Sequence, residues 1–96
     1  MNHKFTAPKK LRYLTPAFLD RHKNERVLIW SGEHGAYWRA NAQGYSVHPK
    51  SAGIYTLGEA YGAAGHCGPE KKIEFQPYAS SVFGHADAEF GHLFAR

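Results

Sequence analysis

Two segments of the chain combine a helix-starting signal with apolar residues at helical spacing. The Thr-Pro pair at 15–16 predicts a short helix over 16–23, because threonine is a good N-cap and proline loses no hydrogen bond at the first helical position. The Thr-Leu-Gly-Glu sequence at 56–59 has the spacing of a capping box and predicts a second helix over 57–66. The apolar residues expected on the buried side of this helix are Leu57, Ala60, Tyr61 and Ala64.

Strand patterns lie between the two predicted helices and after the second. Residues 26–31 are rich in β-branched and aromatic side chains, and the Gly-Glu-His-Gly turn at 32–35 leads into 36–39, which predicts an antiparallel hairpin. Residues 71–78 alternate apolar with polar side chains up to a proline, as expected of a half-exposed strand. Residues 41–56 mix turn formers with aromatics and predict an irregular excursion with short extended pieces.

The C-terminal segment 79–96 has apolar residues near helical spacing, which predicts an amphipathic helix. Its phenylalanines need a groove on this domain, on a partner or on a second copy, and the last case would give a homodimer through residues 79–96. The predicted fold class is therefore α+β. A core over 27–78 forms a small antiparallel sheet of three to four strands with helix 57–66 packed on it, flanked by a short N-terminal helix and the C-terminal one.

Composition limits the chain to one domain, 1–96, because half of 96 residues is too few for a self-sufficient core. With 43% hydrophobic and 21% charged residues, the chain is apolar enough to form that core. The single cysteine, Cys67, excludes an internal disulfide framework and a multi-thiolate zinc site, and it favours a reducing cytoplasm. No apolar run approaches the length of a membrane span.

The net charge of +4 is unevenly distributed along the chain. Residues 1–26 hold seven Lys and Arg against two acidic residues, whereas residues 27–96 hold five against six. We interpret residues 1–14 as a basic leader that is able to remain mobile. Cations in such a segment attract phosphates or an acidic protein face. The candidate nucleic-acid contacts are Lys9, Lys10, Arg12, Arg21 and Lys23.

Five short motifs in the middle of the chain give a family resemblance. They are Trp-Arg-Ala-Asn at 38–41, Gly-Tyr-Ser at 44–46, Ala-Gly-Ile-Tyr-Thr at 52–56, Glu-Ala at 59–60 and His-Cys-Gly-Pro-Glu-Lys at 66–71. Over about residues 27–78 the chain resembles a group of small, mostly uncharacterised proteins of phages, prophages and the bacteria that carry them. It departs from the group's pattern at Ser46, where threonine is usual, and at Ala40, where proline is common. The resemblance implies an origin in a mobile genetic element and a location in the cytoplasm of a bacterial host cell. It does not indicate any particular enzymatic activity, because the group has no settled chemistry.

The candidate partner-binding surface is aromatic. Tryptophan, tyrosine and arginine are the residues that most often dominate binding energy at interfaces. A core this small cannot wholly bury the amphipathic aromatics of the chain, which are Trp30, Tyr37, Trp38, Tyr45 and Tyr55. The candidates are Tyr37, Trp38, Arg39, Tyr45 and Tyr55. The alternative interpretation is that most of these side chains fill the core and leave only an edge exposed.

Two sets of residues raise the question of catalysis. On a helix over 79–96, an imidazole, a carboxylate and a second imidazole would share one side and form a weak candidate metal site, at His85, Glu89 and His92. The Cys67 thiol would need a histidine from elsewhere in the chain, such as His34 or His48, to become a nucleophile. Glycine-rich phosphate-binding motifs are absent, and no cofactor is predicted.

Three classes of function follow from the sequence. The preferred hypothesis is a non-catalytic phage or prophage accessory protein that acts by binding a host or defence component, with an anti-CRISPR-type inhibitor as the leading example. The alternative is a nucleic-acid-binding module that uses the basic N-terminus for phosphates and exposed aromatics for bases. A further alternative is a small metal- or thiol-dependent enzyme.

Overall fold

A computed structural model of the protein describes residues 5–78. The helices are α1 (Pro16–His22) and α2 (Leu57–Ala64). The strands are β1 (Lys9–Lys10), β2 (Arg26–Ser31), β3 (Ala36–Trp38), β4 (Tyr45–Ser46), β5 (Tyr55–Thr56) and β6 (Ile73–Pro77). Short 3-10 turns follow β1 and β3 and precede β5 and β6, at Leu11–Tyr13, Ala40–Ala42, Pro49–Ser51 and Pro69–Lys71.

The strands form one antiparallel sheet with the order β1-β6-β2-β3-β4, and β5 pairs with β2 in addition. Ile29 of β2 lies opposite Phe75 of β6, and Trp30 lies opposite Tyr37 of β3. The predicted α+β class and antiparallel hairpin are confirmed, but three to four strands was too few, since the described residues form six. The additional strands β1, β4 and β5 are each two residues long, too short to show the alternation by which a strand is recognised in a sequence.

Both helices pack on one face of the sheet, which we call the inner face. The core there joins apolar side chains of β2, β6, α2 and the N-terminal segment, namely Val27, Ile29, Ile73, Phe75, Leu57, Ala60, Ala64 and Phe5. The side chains of a strand alternate between the two faces of a sheet, so Leu28 and Trp30 lie on the opposite, outer face. Tyr61, predicted to be buried, is 38% exposed because it lies at the edge of the apolar stripe of α2.

Both helix starts have the predicted caps. The Thr15 side chain accepts a hydrogen bond from the Phe18 backbone N–H at 3.1 Å. At α2 the capping box is complete, with Thr56 Oγ1 accepting from the Glu59 N–H at 3.1 Å and Glu59 Oε1 accepting from the Thr56 N–H at 2.9 Å. These bonds satisfy N–H groups that the first turn of a helix leaves without partners, which explains why both helices start where the sequence predicted.

The predicted basic leader is described from residue 5 onward. Phe5 is buried in the core, and β1 pairs with β6 so that Lys9 lies opposite Phe75. Leu11 and Leu14 pack against the same core. The segment therefore brings its cations to defined positions on the sheet, which determines what they can contact.

The predicted C-terminal helix, the homodimer contact through 79–96 and the candidate metal ligands His85, Glu89 and His92 all lie outside the described residues. Between residues 5 and 78, neither helix has the length and apolarity needed to cross a membrane.

Candidate binding cleft at one end of the sheet

The outer face of the sheet carries a small aromatic cluster. The Trp30 and Tyr37 rings meet edge to face, with centroids 5.0 Å apart and an interplanar angle of 68°. The Tyr37 hydroxyl donates a hydrogen bond to Gln76 Oε1 at 3.0 Å. Because β3 and β6 flank β2, this bond crosses β2, where Leu28 is only 4% exposed. The bond and the ring contact hold Trp30 and Tyr37 in one arrangement.

The Tyr37 hydroxyl has a raised pKa, chiefly because partial burial disfavours the phenolate and also because the charge of Glu74 repels it. The folded protein therefore holds this proton more tightly than the unfolded chain does. The resulting stabilisation is complete below the unfolded pKa of 10.0 and is lost as the pH rises through the higher folded pKa.

The Tyr37→Phe variant should reveal how the stabilisation by the Tyr37 hydroxyl is lost at high pH. Near neutral pH the wild type should be more stable by about 1 kcal/mol, because the variant lacks the hydrogen bond to Gln76. The difference in the free energy of unfolding, measured by urea denaturation, should become smaller when the pH is raised to about 11, above the ordinary pKa of tyrosine. A difference that stays constant over this range would contradict the expectation.

A cleft of about 850 Å³ adjoins this cluster at the end of the sheet where β1 and β2 finish and β6 begins. This volume lies in the range typical of ligand-binding clefts. Apolar, cationic and thiol side chains from several elements share the lining with two glycines and a glutamate, and the lining residues are Lys10, Leu11, Arg12, Trp30, Gly32, Cys67, Gly68, Pro69, Lys72, Ile73 and Glu74.

Lys72 reaches the cleft from a left-handed backbone conformation, with φ 51° and ψ 50°. The Gly32 N–H donates to the Lys72 carbonyl at 2.9 Å, and the Glu33 N–H donates to the Lys71 carbonyl at 3.2 Å. A Cβ on Gly32 would lie 2.6 Å from the Lys72 Cβ, so glycine is required at that position. Non-glycine residues in this conformation are strained and are concentrated at functional sites, which makes Lys72 notable.

Three cations line the cleft without taking part in an ion pair within residues 5–78: Lys10, Arg12 and Lys72. Lys71 differs, since its Nζ lies 3.2 Å from Glu33 Oε1. The pKa of Lys71 is raised, first by its hydrogen bond to Glu33 and next by the Glu33 charge. Glu74 is the one acidic side chain that lines the cleft, so the lining has an excess of positive charge.

The five predicted partner-binding residues do not form one surface. Tyr37 lies on the outer face, whereas Trp38 and Tyr55 pack against the core on the inner side. The Tyr55 hydroxyl donates to the Arg39 carbonyl and accepts from the Ala42 N–H, which stabilises the turn after β3. Tyr45 is 46% exposed and stacks on His34, with ring centroids 4.1 Å apart.

The five predicted nucleic-acid contacts are also separated. Lys10 and Arg12 line the cleft, but the Lys9 Nζ lies 5.1 Å from the centroid of the Phe18 ring. Arg21 lines a second, more polar pocket of about 400 Å³, together with Arg26 and other residues. Lys23 Nζ lies 3.7 Å from Asp20 Oδ1 on the surface of α1. The cleft therefore combines two of the predicted cations with Lys72, which the sequence did not indicate.

The Cys67 thiol is half-buried and makes no hydrogen bond to a histidine within the described residues. His34 stacks on Tyr45, and the His48 N–H donates to Ser46 Oγ at 3.1 Å. Residues 5–78 contain no group of three or more His, Cys, Asp and Glu side chains placed to hold a metal ion. The arrangement of the described residues supports recognition of an anionic, partly apolar ligand.

Sequence reasoning did not select Lys72, and it counted Trp30 among the aromatics that the core cannot wholly bury without placing it in the candidate partner-binding set. Trp30 could have been indicated by the alternation of side chains along β2, which points it to the face of the sheet away from the buried Val27 and Ile29. No local signal indicates Lys72, because its conformation results from pairing with the turn after β2.

The chain was compared with protein-family models, with curated proteins and with solved structures. None of the three comparisons gives a match. The resemblance to phage and prophage proteins therefore stays a prediction from the motifs in the sequence.

Proposed function

We propose that the protein is a non-catalytic binding protein and that the cleft is its working surface. The observation that supports this most directly is the set of three cations that line the cleft without an ion pair among the described residues, next to Trp30. Exposed cations without an ion pair contribute little to the stability of a fold, whereas a matching anionic ligand can interact with all three. Trp30 adds a large apolar contact of the kind that dominates binding energy.

A protein is the favoured partner. The motif resemblance suggests a phage or prophage accessory protein, and such a protein would act on a host or defence component. An anti-CRISPR-type inhibitor is the most specific form of this proposal, and only the resemblance supports it.

A nucleic-acid-binding module is the second candidate, because Lys10, Arg12 and Trp30 lie along one cleft. Lysine and arginine would contact phosphates, and the indole would stack on a base. This function predicts an affinity for single-stranded DNA or RNA that falls steeply with added salt.

The experiment compares capture of a partner from nuclease-treated lysate of a host bacterium by three immobilised proteins. They are the wild type, a cleft variant (Lys10→Glu with Lys72→Glu) and a control variant (Arg21→Glu with Lys23→Glu). Both variants change the charge equally, but the control cations lie away from the cleft. We expect the wild type and the control to retain one stoichiometric protein that the cleft variant loses. Equal capture by all three, or capture by none, would overturn the proposal.

A further inference from the structure

We infer that the cleft binds an acidic peptide segment of the partner, with a carboxylate side chain opposite the cations and an apolar side chain against Trp30. This inference rests on the proposed function, because it takes the cleft to be the working surface.

The cations that line the cleft come from two parts of the chain, the N-terminal segment that carries β1 and the residue before β6. Lys10 ends β1, Arg12 lies in the 3-10 turn that follows, and Lys72 directly precedes β6. The Arg12 Nη2 donates to the Tyr13 hydroxyl at 3.0 Å, which positions the guanidinium without neutralising it. A guanidinium that is positioned before binding favours an anionic ligand, since part of the cost of ordering it is already met.

The apolar part of the cleft is also ordered in advance. Trp30 is held edge to face by Tyr37, and Tyr37 is held by its hydrogen bond to Gln76. Leu11 adds an apolar side chain to the lining from the turn after β1, whereas Ile73 belongs to the inner face and is 5% exposed. An acidic side chain alone would leave these surfaces in water, so the ligand needs an apolar side chain beside its carboxylate.

A peptide fits this cleft better than a nucleic-acid strand does. A strand presents a regular series of phosphates and needs a continuous positive groove, whereas Lys9, Arg21 and Lys23 make their contacts outside the cleft. Glu74 also lines the cleft, and its carboxylate can accept a hydrogen bond from a peptide N–H, a donor that a phosphodiester group lacks.

The test selects ligands from displayed random peptides of about 12 residues, which span roughly 40 Å when extended. We expect the enriched peptides to carry acidic residues next to aromatic or aliphatic ones. Binding of an enriched peptide is then measured on the wild type and on the variant Lys10→Gln, Arg12→Gln, Lys72→Gly. Loss of three weak charge interactions should raise the Kd roughly tenfold or more.

Lys72→Gly is the most informative single change in that variant. Glycine adopts the left-handed conformation without strain. The single variant Lys72→Gly should therefore have a Tm no lower than that of the wild type, while it binds the peptide more weakly. Arg21→Gln is the matched control, and it should leave the Kd of the same peptide unchanged. A higher Kd for Lys72→Gly, with the Arg21→Gln control unchanged, therefore results from the loss of a cleft cation and not from unfolding.

Several outcomes would overturn the inference. They are enriched peptides without acidic residues, no enrichment at all, or a Kd that the triple variant does not change. Tighter binding of an oligothymidylate of equal length, weakened by the triple variant, would assign the cleft to nucleic acid instead. The proposed function fails separately, when the partner captured from lysate does not depend on Lys10 and Lys72.

Discussion

Replacing Gly53 with alanine is expected to lower the free energy of unfolding by roughly 2–3 kcal/mol, a large overpacking effect. A Cβ at this position would lie 2.6 Å from the Ala40 backbone nitrogen and 2.7 Å from its Cα. These are backbone atoms, which cannot rotate away as a flexible side chain would. The Gly53 N–H also donates to the Trp38 carbonyl at 2.9 Å, so moving the segment away would break that bond.

Gly62→Ala is the matched control. Gly62 lies inside α2, and an added Cβ there would meet no other atom within 4 Å. Alanine is the better helix former, so the free energy of unfolding of Gly62→Ala should be about 1 kcal/mol higher than that of the wild type. Urea denaturation of both variants against the wild type measures the two changes. Equal losses in the two variants would show that Gly53 is not constrained by the turn at Ala40.

Phe75→Ala is expected to have the largest effect, a loss of roughly 3–5 kcal/mol. Phe75 is fully buried, and its strand lies between β1 and β2, with Lys9 opposite it on one side and Ile29 on the other. Removing the ring leaves a cavity in the centre of the core and also takes away the surface on which α2 packs. A loss of this size is a large part of the stability of an ordinary small domain.

Tyr61→Ala provides the comparison for the loss of an aromatic ring from the edge of α2. Tyr61 is half-exposed, so the change should stay within about 1 kcal/mol. Chemical denaturation again measures both effects. A Phe75→Ala variant as stable as Tyr61→Ala would mean that the core does not centre on β6.

The elements with local signals could be predicted from the sequence. Caps at Thr15 and Thr56 define where the helices begin, and the alternation in 73–77 indicates a strand, because these signals depend on neighbouring residues. The two-residue strands depend on partners far along the chain. Lys9, for example, becomes a strand residue because Phe75 lies beside it.

The candidate site was less accessible to sequence reasoning. Lys10 and Arg12 were predicted as binding cations. That they line the same cleft as Lys72 depends on the pairing of β1 with β6. Tyr55 was expected at a recognition surface, and its hydroxyl instead stabilises the backbone turn after β3. An aromatic residue has the same appearance in a sequence whether its polar end contacts a ligand or its own chain.

The position of β6 between β1 and β2 has a consequence for synthesis on the ribosome. The strands on either side of it belong to the first third of the chain, and they cannot be joined until residue 77 has left the exit tunnel. Until then, the apolar side chains of β2 have no partner strand on that side. The sheet can therefore close only after β6 has emerged, when the long-range contacts that slow folding can form.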